Sequence, residues 1–126
     1  MEFNIGTSME SNYSSDAESR LSEQAKPTGH KYDSAKLRWD LAPIAAIETG
    51  VDVLTWALTK PGTGETPYPA NNWQLVEDPI ERYYAAMMRH IMDWRKGQRC
   101  DPKSGRHHLS HALCCLWFLL WFEGAK

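Results

Sequence analysis

Residues 113–122 (Leu-Cys-Cys-Leu-Trp-Phe-Leu-Leu-Trp-Phe) constrain the fold more than any other stretch. Ten apolar residues in a row are too few to cross a bilayer, which takes about 20. As a helix they are apolar on nearly every side, and such a helix must be buried from several directions. The chain around them therefore has to supply covering elements, and their periodicity says what those are. Ile44, Ile47, Val51, Leu54 and Leu58 recur every three or four residues, as do Ile80, Tyr83/Tyr84, Met87/Met88, Ile91 and Trp94. Both series are helical stripes. No alternating pattern of convincing length occurs, although a short strand near residues 31–41 is compatible with the sequence.

Three helices are expected. The first opens after Ala42, with Pro43 in its first turn, and runs to about Thr59. Gly50 inside it costs roughly 1 kcal/mol against Ala, which a close helix contact would explain. For the second, Asp78 serves as N-cap, Pro79 as the first residue and Glu81 as the acid of a capping box, with Gly97 as the stop. The third spans about 106–123 and ends at Gly124. The fourteen residues 60–73 hold three prolines and two glycines and form a long loop, the kind that is functional or disordered. The fold class expected is all-α: a small bundle of about three main helices. Six tryptophans and an apolar third helix exceed what one such bundle hides, so a homo-oligomer joined through helix 106–123 is expected.

Residues 1–30 carry five acids against two bases and little that is apolar, the composition of a disordered tail ahead of one helical domain, 31–126. That domain holds twelve Lys and Arg against eleven Asp and Glu, a balance that argues against general nucleic-acid binding. The odd set Cys100, Cys114 and Cys115 suits reduced thiols and a cytoplasmic setting, and no membrane segment is expected.

Several polar groups stand out against these apolar stripes. Lys36 and Arg38 are two apart, so an extended segment would put both on one face, able to grip phosphate oxygens. Arg82, Arg89 and Asp93 share a face of the second helix, with Ala85 and Ala86 leaving room between them, and His90 adds a titratable ring. The same charges also suit plain ion pairs, Glu81 or Asp93 with Arg89. On the third helix His108, His111 and Cys115 share a face. With Asp101 and His107 nearby they resemble a metal-ligand set, but one HxxH without a second strong pair is more often hydrogen-bonded core histidine, so zinc is not expected. A hard cation such as Mg²⁺ would draw oxygen ligands from Glu48, Asp52, Asp93 or Asp101.

In order, the segments KYDSAKLRWDLAP, NW, RYYAAMMRHIMDWRKG, DPKSG and HHLSHALCCLWFLL resemble the phage-encoded dATP/dGTP diphosphohydrolase-like family, which is discussed alongside the all-α, MazG-like nucleoside triphosphate pyrophosphatases. The likeness covers most of residues 31–122. It implies a helical, oligomeric domain, in the host cytoplasm if phage-encoded, that binds a purine nucleotide. In active relatives it implies Mg²⁺- or Mn²⁺-dependent cleavage of a nucleoside triphosphate to monophosphate and pyrophosphate. On this reading Glu48, Asp52 or Asp101 hold the metal, and Asp101, His108 and His111 are the catalytic candidates. Lys36, Arg38, Arg82 and Arg89 neutralise phosphate; Asn72, Trp73, Tyr83 and His90 complete the ligand site. The chain departs from the family pattern at Gln98, where Glu is usual, at Cys115, where an amide is frequent, and in its lengthened loop. Losing a carboxylate weakens hold on a hard cation. That motivates a second expectation: a phage anti-defence protein that sequesters a nucleotide or cyclic-nucleotide signal without turnover.

Overall fold

The computed structural model describes residues 29–126; the tail expected over residues 1–30 lies almost wholly outside them. The chain divides into two units, Met1–Leu37 and Arg38–Lys126. In the first, residues 29–37 are exposed, and a turn forms in which Lys36 N–H donates to Asp33 O (3.2 Å), with Ala35 at φ 68°.

The second unit carries the architecture. After a 3-10 turn at Trp39–Leu41 come α1 (Ile44–Ala57), a second 3-10 turn at Asn72–Leu75, α2 (Pro79–Arg95) and α3 (His108–Phe122). The all-α expectation holds, each helix within a few residues of its expected bounds. The strand near residues 31–41 does not form. A turn and a 3-10 turn take its place: among the described residues no strand lies beside the segment, and its backbone bonds there are local. Among the described residues the sole β-type pairing is an isolated antiparallel bridge between Cys100 and His107.

The helix starts differ from expectation in one instructive way. Pro79 does occupy the first position of α2, but Asp78 sits at φ 48°, ψ 52°, and its carboxylate makes no capping bond. A side-chain cap normally needs an extended N-cap residue, and the left-handed backbone of Asp78 removes that geometry. Only its carbonyl contributes, accepting from Arg82 N (3.1 Å). The side-chain cap appears instead on α3, where His107 Nδ1 accepts from Leu109 N (3.0 Å).

Helix α3 is the central element. It packs extensively on α2 and less so on α1. The α1 contact is close because of Gly50: a Cβ there would lie 2.7 Å from Trp117 Cη2 and 3.0 Å from Leu113 Cδ2. Cys114 Sγ–H donates to the Gly50 carbonyl (3.2 Å) and Ser110 Oγ–H to Thr49 Oγ1 (2.8 Å), so small polar groups line this seam. Against α2 and the loop the packing is aromatic. Trp73 stacks on Phe118 (centroids 4.5 Å apart, planes at 12°) and meets Trp121 edge-on at 5.0 Å, while Tyr83 abuts Phe118 at 5.0 Å. Such pairs are worth about 0.5–1.5 kcal/mol each beyond their buried area. The fully buried apolar core is small: Val53, Trp56, Ala112, Cys114 and Cys115. Leu109, Leu116 and Leu120 remain exposed on α3, as do Ile44 and Val51 on α1 and Leu58 just past its end. No helix among the described residues is long and apolar enough to cross a membrane.

Candidate functional site

Since α1 and α2 both lean on α3 rather than on each other, a groove of about 900 Å³ opens between them. That volume lies within the range of small-molecule sites. Val51, Leu54 and Thr55 of α1, with Leu58 just past its end, form one wall, and α2 forms the other with Arg82, Ala85, Ala86, Arg89 and His90. His111, Cys114, Cys115 and Phe118 of α3 make the floor, while residues 68–73 of the loop close one end. The alanines recess the α2 wall between its two arginines, which stand one side of the groove at sequence spacing seven. Burial on the floor raises the thiols of Cys114 and Cys115 to about 12 and about 11, the latter held down somewhat by Arg89, so neither is a ready nucleophile.

The loop is fixed rather than loose where it meets the groove. Tyr83 O–H donates to Trp73 O (3.0 Å), and burial lifts that phenol to about 12. Lys60, with only 6% of its surface exposed, places its ammonium 3.6 Å from the centre of the Tyr68 ring and 3.9 Å from Glu65. Glu65 in turn pairs with Lys103 at 2.8 Å. One loop carboxylate is thereby joined to the 101–105 turn, a link that no local spacing announces.

At the other end of the groove a compact polar cluster forms. His108, 1% exposed, sits with Nε2 2.7 Å from Gln98 Oε1 and Nδ1 2.8 Å from His90 Nδ1. With the amide oxygen accepting from Nε2–H, His108 Nδ1 is the acceptor and His90 Nδ1–H the donor of the ring-to-ring bond. His90 also stacks on His111 (4.6 Å, 10°), whose Nε2 lies 2.6 Å from Ser104 Oγ and 3.8 Å from Asp101 Oδ2. Asp101 accepts from Ser104 N (2.9 Å). Its backbone is pinned by Asp101 N to Arg106 O (2.8 Å) and Gly105 N to Asp101 O (2.7 Å), the turn closing through Gly105 at φ 71°. Burial depresses His111 to about 4, reinforced by the neighbouring His90 and opposed by Asp101; burial also lowers His90. For Asp101 burial acts upward, yet the Ser104 bonds and the nearby His111 and His90 outweigh it and leave the carboxyl below its ordinary value.

The candidates named from sequence are distributed as follows. Asn72, Trp73, Arg82, Tyr83, Arg89, His90 and His111 all line the groove, and Asp101 and His108 stand behind its histidine end. Arg38 holds Asp40 through two bonds (2.7 and 2.8 Å), and Lys36 belongs to the Met1–Leu37 unit. Glu48 and Asp52 border a separate, more open depression of about 430 Å³ beside Arg106, whose Nε donates to Asp52 Oδ2 (3.0 Å). They do not join Asp101. Among the described residues the one trio with metal-ligand atoms within 4.8 Å of one another is His90, Asp101 and His108. Sequence reasoning overlooked Gln98 as a partner of His108 and His90 as a partner across helices. The signal available was the missing carboxylate at position 98.

Residues 26–126 match the family described as dATP/dGTP diphosphohydrolase, N-terminal. A dATP/dGTP diphosphohydrolase of Salmonella phage PMBT28 is 33% identical over 94 residues, which is 75% of this chain and 29% of that protein, so the chain spans under a third of its relative's length. No solved structure matches. With four-fifths of its length inside that one family match, the chain belongs to the dATP/dGTP diphosphohydrolase N-terminal family.

Proposed function

We propose that the groove between α1 and α2 binds a purine nucleoside triphosphate and that the chain serves its hydrolysis to monophosphate and pyrophosphate. The observation that carries this reading is the groove's polarity. Arg82 and Arg89 stand on one wall, aromatic and amide side chains (Trp73, Asn71, Asn72) close one end, and the His90–His111 pair closes the other. A triphosphate brings several negative charges, and each charge-assisted bond from a guanidinium is worth about 1.5–3 kcal/mol. The name of the phage relative supports the same substrate class. His111, uncharged near neutrality, suits the orientation of a water or phosphate oxygen rather than charge neutralisation.

Of the alternatives expected to hold Mg²⁺ or Mn²⁺, Glu48 and Asp52 border the depression beside Arg106, whose Nε donates to Asp52, while Asp101 stands with His90 and His108. The amide at Gln98 favours a second reading, a protein that holds a nucleotide or nucleotide signal without cleaving it, as an anti-defence protein would. The exposed leucines of α3 suit self-association of copies in either case. Light scattering should show a mass above that of one chain, falling to it when Leu116 and Leu120 are both changed to Glu.

Incubation with a panel of nucleotides and Mg²⁺, Mn²⁺ or Co²⁺, followed by chromatography, separates the readings. Pyrophosphate release supports hydrolysis. One nucleotide depleted from solution and returned unaltered on heating supports sequestration, and retention of none overturns both.

A further inference from the structure

We propose that His90, Asp101 and His108 form a binding site for a first-row transition-metal dication, in preference to Mg²⁺, at the histidine end of the groove. The donor atoms of the three residues already lie within 4.8 Å of one another. Two imidazoles and one carboxylate make a set that suits first-row transition ions, whereas Mg²⁺ prefers oxygen ligands and retained water.

Each ligand is positioned by a different part of the fold. His90 comes from α2, His108 from the first turn of α3, and Asp101 from a turn held by the Cys100–His107 bridge and by Ser104 N. The orientation of His108 is set from behind, because its Nε2 is engaged by Gln98 Oε1 at 2.7 Å and only Nδ1 faces His90. A carbonyl oxygen accepting from the far ring nitrogen is the usual support of a metal-binding histidine. The residue that reads as a lost ligand in the sequence is thus a positioning residue, and its amide does that work without a carboxylate.

A histidine pair that merely satisfies its own hydrogen bonds accounts for the 2.8 Å contact between rings. The Ser104 N–H bond and the His111 contact at 3.8 Å hold Asp101 in its turn, and that placement brings its carboxylate within reach of both rings. An ion held at both Nδ1 atoms would require the His90 proton to move to its Nε2, the other neutral tautomer, with no net loss of a proton. Because His90 also lines the groove, it connects the proposed site to the space that would hold phosphates. The proposal concerns the end of the same groove as the nucleotide reading but is measured without nucleotide, so the two fail separately.

The test is calorimetric titration of chelator-treated protein with Mn²⁺, Co²⁺, Zn²⁺ and Mg²⁺, with visible absorption of the Co²⁺ form. One transition ion should bind per chain, more tightly than Mg²⁺, with cobalt bands typical of nitrogen and oxygen ligands. Asp101→Asn and His90→Ala, both at partly exposed positions, should abolish that binding while thermal melts stay cooperative. Gln98→Ala should weaken it about 10–100-fold, the usual effect of losing an outer partner. His108→Ala removes a fully buried ring, so the other two variants carry the decision if it fails to fold. The proposal is overturned by absence of transition-ion binding, by equal affinity for Mg²⁺, by binding that survives in both Asp101→Asn and His90→Ala, or by a thiolate-to-cobalt band placing the ion on Cys100. Metal binding as expected without nucleotide binding would sink the nucleotide reading alone.

Discussion

The two ends of the groove are held together by different physics. At the loop end, Trp73, Tyr83, Phe118 and Trp121 meet as ring surfaces, with one directional bond, Tyr83 O–H to Trp73 O, fixing the register. At the other end two hydrogen-bonded trios, His90–His108–Gln98 and Asp101–Ser104–His111, with contacts of 2.6–2.9 Å, meet where His90 stacks on His111. Apolar contact is non-directional and scales with area, so the aromatic end carries stability and tolerates rearrangement. The polar cluster contributes little net stability while its partners are matched, yet the loss of any one leaves a buried group without a partner.

The contrast can be broken by substitution. Trp73→Ala should have the largest effect on folding, about 3–5 kcal/mol in denaturant unfolding, as for other large aromatic truncations. A loss under about 1 kcal/mol would show that the aromatic end is not the anchor.

Arg89→Lys, on the α2 wall between the two ends, should leave the melt unchanged and weaken nucleotide binding by about 1.5–3 kcal/mol, because a lysine cannot reproduce bidentate contact with phosphate. Unchanged affinity with lowered stability would return Arg89 to a structural role. Ser104→Ala sharpens the comparison at the polar end. It strips a hydrogen-bond partner from His111 Nε2 and from Arg106 N (3.1 Å). The expected cost is about 1–2 kcal/mol in stability, set by the polar atoms left unmatched. A neutral result would mean that water replaces the hydroxyl and that the cluster is wetter than its packing suggests.

The three helices were legible in the residue pattern, because the spacing of Ile44 to Leu58 and of Ile80 to Trp94 and the apolar run after Leu113 each encode a helix face. The pattern also marked Gly50 as a contact point, which Trp117 and Leu113 occupy, and put Arg82, Ala85, Ala86 and Arg89 on one wall. Each of these relations joins residues within one helix, or a residue and its own missing side chain. The pairs between elements emerge from the folded chain alone: His90 with His108, Gln98 behind His108, Arg106 on Asp52, Lys60 buried on Tyr68, and Trp73 on Phe118. The misjudged Asp78 cap belongs with them, since it turned on a backbone angle that the residue type leaves open. Spacing along a chain fixes which side chains share a face, because helical geometry repeats every 3.6 residues. Which faces then meet, and at what offset, depends on how α1 and α2 each settle on α3 and on how the 60–73 and 96–107 connections close. Those are properties of packing and loop closure that no local pattern contains.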